Sequence, residues 1–334
     1  WQIYKLCVYH LIKNNNFANM KKISLLLSVC LVAFTSCETD FDVNAEWEET
    51  MVVFGLLDKS QDVQFIKINK AFLGQADAYE MANVSDSFNY NPEDIIVCLH
   101  ALDYSDTIWT KNLKDTIIEK DEGLFANDNN IIYYLDTVLS AAAKTYALTV
   151  ENIRTGNIVS STTELIDGFS FTSGLSSSKI TFYVDDYRSR SLEWGSDYPN
   201  VAIFQCALRF HYTEDGVEKN ILWIQPTTTE NQLTLAGEDF FNKFLMQLEE
   251  TDAVREFGDI YIEMTLGTKD LKTYMSVNEP ISSIVQQRPP FTNIRNGIGL
   301  FSSRYLFKSD AKQLNLQTKQ YIVEELDLNF IIPL

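Results

Sequence analysis

The chain reads as mainly β with some α: an immunoglobulin- or transthyretin-like β-sandwich followed by a β-rich α+β domain. Three observations carry that reading. Short runs rich in Val, Ile, Phe and Tyr recur from Met51 onward with turn residues between them, the rhythm of a sandwich rather than of strand–helix–strand units. Aromatic residues make up 13% of the chain while Gly numbers 13 and Pro 7, which suits packed strands and not a low-complexity stalk. Helical periodicity is confined to the second half, chiefly at Phe240, Phe241, Phe244, Leu245 and Leu248.

Residues Trp1–Asn19 have no initiating methionine and include the run Asn14–Asn16; they read as a non-native upstream extension and are set aside. Met20, Lys21 and Lys22 form a short cationic start, Ile23–Phe34 is almost wholly apolar, and Thr35-Ser36-Cys37 closes the run with small residues and a thiol. A basic start, a short apolar stretch and a small-residue processing site make a secretory signal over residues 20–36, too short to span a bilayer as a stable helix. The cysteine placed directly behind that site resembles the lipobox of bacterial lipoproteins, which implies that Cys37 becomes the first mature residue and carries acyl chains. Glu38, Asp40 and Asp42 follow at once and resemble the acidic export tag of Bacteroidota surface lipoproteins. Residues 37–50 are then an acidic tether.

The sandwich is expected over residues 51–167. Met51–Leu57 is a strand ending in the polar turn Asp58-Lys59-Ser60, and Val63–Phe72 is a second, its alternation slipping between Phe65 and Ile66 as at a bulge. Ala76–Pro92 is polar and Asn-rich, a long loop. Ile95–His100, Ile131–Leu135 and Tyr146–Val150 are strands, the last with Tyr146, Leu148 and Val150 on one face. Asn152–Asn157 turns the chain through Gly156 into an antiparallel return, Ile158–Ser161.

The Gly- and Ser-rich stretch from Asp167 to Ser178 marks the expected boundary, with the second domain at 168–334. There Lys179–Val184 and Val201–Tyr212 are strands, Glu214-Asp215-Gly216 makes a hairpin turn into Val217–Ile224, and Glu238–Glu250 is an amphipathic helix. Ile260, Ile262, Met264 and Leu266 alternate as a half-buried strand. Asp270–Met275 is a helical turn, Ser309 caps a last helix from Asp310 to about Glu325, and Leu328–Leu334 adds a final strand.

Charge narrows the function classes. Residues 1–36 contain Lys5, Lys13, Lys21 and Lys22 and no acid, so the formal charge of −19 becomes −23 beyond them. So acidic a body repels nucleic acid and anionic headgroups. Beyond residue 36 the cysteines are Cys37, Cys98 and Cys206 and the histidines His100 and His211, few parts for a zinc site or a Ser-His-Asp relay. Cys206 lies on the apolar side of an alternating run and reads as a buried free thiol, and His211 shares a face with Arg209 and Gln205 as a polar surface residue. Gly297-Ile298-Gly299 lacks the third glycine of a dinucleotide fingerprint, Ser302 standing in its place, and reads as a tight backbone turn. Asp121-Glu122-Gly123 with Asn127–Asn130 lacks the spacing of a calcium loop. Asp185 and Asp186 are strand neighbours that point to opposite faces, unlike a catalytic pair. No catalytic residue, cofactor or metal site is expected.

Several segments resemble an uncharacterised family of Bacteroidota outer-membrane lipoproteins, a domain of unknown function commonly encoded beside TonB-dependent receptors. They are the lipobox region, Val63–Leu73, the strand Tyr146–Val150 with its Gly156 turn, Trp194 ahead of Phe210-His211-Tyr212, and Tyr274–Arg304, which holds Asn278-Glu279-Pro280, Thr292-Asn293-Ile294 and Gly297–Phe301. The resemblance implies a two-part β-rich ectodomain held at the outer membrane by its N-terminal lipid and exposed at the cell surface. It would act as a non-catalytic accessory or binding subunit of a TonB-dependent receptor or an outer-membrane assembly system, with a β-barrel as partner; it names no small-molecule or glycan ligand. The alternative is a fimbrillin-like structural or adhesive pilin subunit, which needs a removable first strand behind a basic cleavage site; yet Arg154 is the first arginine of the chain. Because interface hot spots favour Tyr, Trp and Arg, Trp194, Tyr198, Phe291, Asn293 and Arg295 are the candidate partner contacts, with packing at the domain junction as the alternative for both segments.

Overall fold

The computed structural model describes residues 49–71, 88–119, 130–140, 142–143, 145–195, 200–278 and 291–332. The first half contributes β1 (Thr50–Asp58), β2 (Val63–Ala71), β3 (Ile95–Asp103), β4 (Asp106–Asn112), β5 (Lys114–Ile117), β6 (Ile131–Asp136), β7 (Thr145–Asn152) and β8 (Asn157–Glu164). The second adds β9 (Phe171–Ser173), β10 (Lys179–Ile180), β11 (Tyr183–Val184), β12 (Asp186–Tyr187), β13 (Arg190–Trp194), β14 (Val201–Glu214), β15 (Val217–Ile224) and β16 (Gln232–Leu235). Then come β17 (Arg255–Thr268), helix α1 (Lys269–Asn278), β18 (Ile298–Lys308), β19 (Gln313–Leu314), helix α2 (Leu316–Glu325) and β20 (Phe330–Ile331). Among the described residues the largest sheet runs β15-β14-β17-β18-β1-β2-β6-β5 with β20 beside β17, and a second sheet runs β4-β3-β7-β8. The protein is mainly β with some α.

The first core lies between these two sheets. Met51, Val53 and Leu57 on β1, Ile66 and Ile68 on β2, Val97 and Leu99 on β3 and Tyr146, Leu148 and Val150 on β7 are all buried together, as period-two alternation requires of facing sheets. Gly55 shares the inward face, and a side chain there would meet Ile66 at 2.3 Å. The expected bulge between Phe65 and Ile66 is absent. The β1–β2 register runs unbroken from Thr50↔Ala71 to Gly55↔Ile66, and the apparent slip has another cause: Gln64 takes an inward position, where its amide donates to Asp58 O at 2.9 Å and its Oε1 accepts from Asp58 N at 2.8 Å. Phe65 therefore points outward, 44% exposed. Strands β4 and β5, which the sequence pattern does not announce, belong to different sheets, and the chain crosses between them at Leu113, whose N–H bonds Val97 O.

Strand β18 is the larger departure. The segment opened by Gly297-Ile298-Gly299 is no isolated turn: it starts a strand that pairs parallel with β1 from Val52↔Ile298 to Asp58↔Arg304. Gly299 has φ +121°, and a Cβ there would stand 2.0 Å from Val53 O, so only glycine lets the backbone approach β1 this closely. The sheet thus runs across the 167–168 boundary, while the apolar residues still gather in two clusters. Phe301 faces the first, Phe307 packs against the second, and buried Ser303 sits between them on the same face, accepting a hydrogen bond from Ile166 N at 3.0 Å.

The second core is built on the inward faces of β14 (Phe204, Cys206, Leu208, Phe210) and β17 (Ile260, Ile262, Met264, Leu266). Its other side includes a helical stretch, but not the uniform helix expected over Glu238–Glu250. Gly237–Asp239 is α-helical, Phe240–Phe244 is a π turn and Leu245–Gln247 a 3-10 turn. The wider π turn lets adjacent Phe240 and Phe241 as well as Phe244 all turn inward; Phe240 stacks on Phe182 at 4.0 Å and Phe244 on Trp223 at 5.6 Å.

The last helix also starts later than expected, at Leu316, capped by Asn315, whose side chain accepts from Thr318 N. Ser309 is engaged elsewhere: its N–H and Oγ bond Ile262 O and N at 2.9 and 3.0 Å, and Lys312 pairs with Ile260, so 309–312 follows the edge of β17. The expected strand at 179–184 is two short ones, β10 and β11, and the final strand is only Phe330–Ile331, parallel to β17.

Arg255, 2% exposed, ties this end together. Its guanidinium bonds Glu214 Oε2 at 2.9 Å, Leu328 O at 3.1 Å and Glu249 O at 2.7 Å. A buried fork with three acceptors constrains far more than an exposed pair such as Lys243–Asp239.

Two outcomes are expected. Gly299→Ala should lower stability by about 2–3 kcal/mol, read from chemical denaturation, because the added methyl meets backbone and cannot swing aside. Lys219 and Arg255 hold the Glu214 carboxyl below its ordinary value of 4.5, Lys219 the more strongly. A depressed folded-state value contributes stability that is complete above the ordinary value and is lost as the pH falls through the folded one. Below about pH 4.5 the Tm of the native chain should therefore fall more steeply than that of Glu214→Gln.

Candidate binding face

The residues singled out from sequence part company here. Cys37, Glu38, Asp40, Asp42 and Tyr198 lie outside the described residues, as do Asp121–Asn129 of the oxygen-rich loop. Trp194, a candidate either for partner contact or for packing, is 3% exposed in the second core, 5.1 Å from Phe204 and 6.0 Å from Phe171. Its large ring is worth more against those aromatics than in water. Asp185, at φ +58°, and Asp186 sit exposed around the β11–β12 turn. Among the described residues no three His, Cys, Asp or Glu side chains gather as a metal site requires.

Phe291–Asn296 is engaged by hydrogen bonds with β8, β18 and α1. Arg295 exchanges two backbone hydrogen bonds with Ser160 on β8, and Asn296 Nδ2 donates to Ile158 O at 3.2 Å. Asn293 is the hub. Its side-chain amide pairs with the backbone of Phe301 as a strand would, Nδ2 to O at 2.7 Å and N to Oδ1 at 2.9 Å, while Nδ2 also donates to Asp270 Oδ2 on α1 at 2.8 Å. Ser161 Oγ donates to Asn293 O at 2.7 Å. The segment joins β8, β18 and α1; Arg295 and Asn296 stay exposed and Phe291 is half-buried.

Tyr104, at the β3–β4 turn, is an exposed aromatic; two others, Phe54 and Phe65, lie together on the outward face of the largest sheet. Alternation puts Phe54 and Asp58 of β1, Phe65 and Lys67 of β2, and Leu300 and Arg304 of β18 on that face, because Phe54 is opposite both Lys67 and Leu300 and Asp58 is opposite Arg304. Helix α1 lies on the same face. Thr268 leads into it, hydrogen-bonded through Oγ1 to Ser302 and accepting from Leu271 N at 3.5 Å, and Asn278 Nδ2 bonds Tyr274 O at its end. Leu271 and Tyr274, three residues apart and so on one helix face, wall a groove of about 450 Å³ whose floor holds Phe54 and Phe65. Tyr274 meets Phe54 edge-on at 5.8 Å, leaving Phe54 38% and Phe65 44% exposed.

Farther along this face the side chains are polar. Arg209 forms a two-pronged pair with Glu263 at 2.7 and 3.0 Å, and that bond pushes the guanidinium above its ordinary value. Lys308 lies 3.8 Å over the Tyr261 ring, against which His211 also packs, at 5.3 Å. His211 Nε2 is buried with no hydrogen-bond partner among the described residues, so the residue read as a surface or satisfied polar group is only half-exposed and not satisfied at that nitrogen. A second, hydroxyl-lined cleft of about 950 Å³ holds Thr145, Thr163, Asn200, Thr268 and Thr273 with Lys269.

Cys206 and Tyr133 are both pushed up to about 12 by burial, and Tyr321 to about 12 chiefly by its hydrogen bond with Tyr187; none of the three exchanges a proton near neutrality. Cys98 and Cys206 are both free thiols.

No family model matches the chain, and no curated protein matches it. Among the described residues no helix is long and apolar enough to cross a membrane.

Asn293→Ala should cost about 2–4 kcal/mol in denaturant unfolding, since it strips partners from both polar groups of Phe301. Arg295→Ala, which leaves the backbone bridge to Ser160 in place, should cost well under 1 kcal/mol.

Proposed function

We propose that this protein is a lipid-anchored ectodomain at the cell-surface side of an outer membrane, belonging to the Bacteroidota lipoprotein group it resembles. It acts as a non-catalytic accessory or binding subunit of a TonB-dependent receptor or outer-membrane assembly system. The observation that carries this reading is the order of Met20–Asp42: cationic start, short apolar run, small residues, Cys37, then acids. The outward face fits it. Two large aromatic side chains left more than one-third exposed beside a helix offer a binding surface of the kind that is costly to leave in water without use.

The pilin alternative is less well supported by the way β1 is held. A removable first strand has to leave without dismantling its sheet, and β1 is paired along one edge with β18 and along the other with β2.

Growth with an alkyne-labelled fatty acid tests the anchor. The native chain should take up label and partition with outer membranes, and Cys37→Ser should do neither. Affinity isolation of the tagged full chain from solubilised outer membrane should bring down a stoichiometric β-barrel; homopolymer ladders instead would favour the pilin.

A further inference from the structure

We propose that the groove between α1 and strands β1 and β2 binds a small carboxylate with an apolar, ring-sized body. The body would lie among Phe54, Phe65 and Tyr274, and the carboxylate would take the terminal nitrogens of Arg304. This deepens the reading of the outward face as a binding face and rests on it, but it does not depend on the membrane anchor.

The argument starts from how Arg304 is held. Asp58 is almost fully buried, its side chain 3% exposed, and its two oxygens are spoken for: Oδ1 accepts from Ser60 N and Oγ at 2.9 and 2.6 Å, and Oδ2 accepts from Arg304 Nε at 3.2 Å. Asp58 cannot leave this position without abandoning the β1–β2 turn, so it fixes the root of the guanidinium. The two terminal nitrogens of Arg304 have no partner among the described residues, on a side chain that is 40% exposed and lines the groove. A guanidinium oriented through Nε and open at its far edge presents a flat two-donor fork, the geometry that matches a carboxylate.

Charge and shape agree with that occupant. The Asp58–Arg304 pair is balanced, and Lys67, which also lines the groove, has its ammonium engaged by Asn130 Oδ1 at 2.9 Å and Ile131 O at 2.7 Å. In a chain of formal charge −19, donors left open on an arginine whose root is already neutralised suit an anion over a cation. The volume of about 450 Å³ falls within the range of small-molecule sites. Its apolar part, edged by the Phe54–Tyr274 pair, suits a ring or a short branched chain.

Calorimetric titration of the full chain with 3-phenylpropionate, and with its neutral amide 3-phenylpropionamide, tests the proposal. The acid should bind at least about tenfold more tightly than the amide. Arg304→Lys, which keeps the charge near Asp58 but loses the fork, should remove most of that preference. Phe65→Ser alters an exposed side chain and leaves the fold intact, as thermal melting will confirm; it should weaken both ligands by about tenfold. Equal binding of acid and amide would mark the groove as a general apolar contact and overturn the carboxylate. Failure of the acid to bind at low millimolar concentration, or indifference to Phe65→Ser, would overturn the site altogether. Fatty-acid labelling at Cys37 reports on the anchor separately, so the two readings can fail independently.

Discussion

The parallel pairing of β1 with β18 is the constraint on which the rest of this molecule hangs. Asp58 and Arg304, opposite each other in the ladder and bonded through their side chains, stand 246 positions apart in the chain. Closing so long a loop costs about 5 kcal/mol in chain entropy before any contact is made. Hydrogen bonds along seven paired residues, together with the burial of Phe301, have to offset that cost. The ladder is held close at Gly299, where a Cβ would stand 2.0 Å from Val53 O, and Asn293 clamps Phe301 from outside it.

One register then serves two purposes. On β18 the inward positions Phe301, Ser303 and Phe307 meet the two cores, and the outward positions Leu300, Ser302 and Arg304 build the groove and the seat of α1. A slip of one residue would exchange the two sets. The groove is therefore no surface accident that could drift while the core stayed in place. Whatever holds Phe301 inward also holds Arg304 beside Asp58.

Where the two cores meet, hydrogen bonds replace apolar packing. Ser303 takes the Ile166 N–H, Asn293 ties β18 to α1, Ser161 reaches the Asn293 carbonyl, and Thr268 joins Ser302. Buried polar groups with partners in place are directional in a way that methyl groups are not, and they fix the angle at which α1 crosses the sheet. A ligand groove gains from that, because a wall carried by Leu271 and Tyr274 is only as well placed as the residues beneath it.

Local chemistry was readable from the chain alone: β strands from alternation at Tyr146–Val150 and Ile260–Leu266, turns at Gly156 and at Asp215-Gly216, where φ is positive, and a buried thiol at Cys206. Phe65 was visible too, as a break in alternation, but a bulge and an outward aromatic look the same in one dimension. They were told apart only when Gln64 proved to have backbone partners across the turn. The pairing of residues 298–308 with β1 and the clamp that Asn293 makes on Phe301 were not legible, because a strand whose partner lies more than two hundred residues away carries no sign of that partner in its own pattern. Side-chain periodicity records which face is buried, whereas pairing across the sheet is settled by backbone groups that every residue shares. That is why alternation and turn chemistry emerged from the amino acids themselves, while the continuous sheet and its groove came into being only when distant strands met.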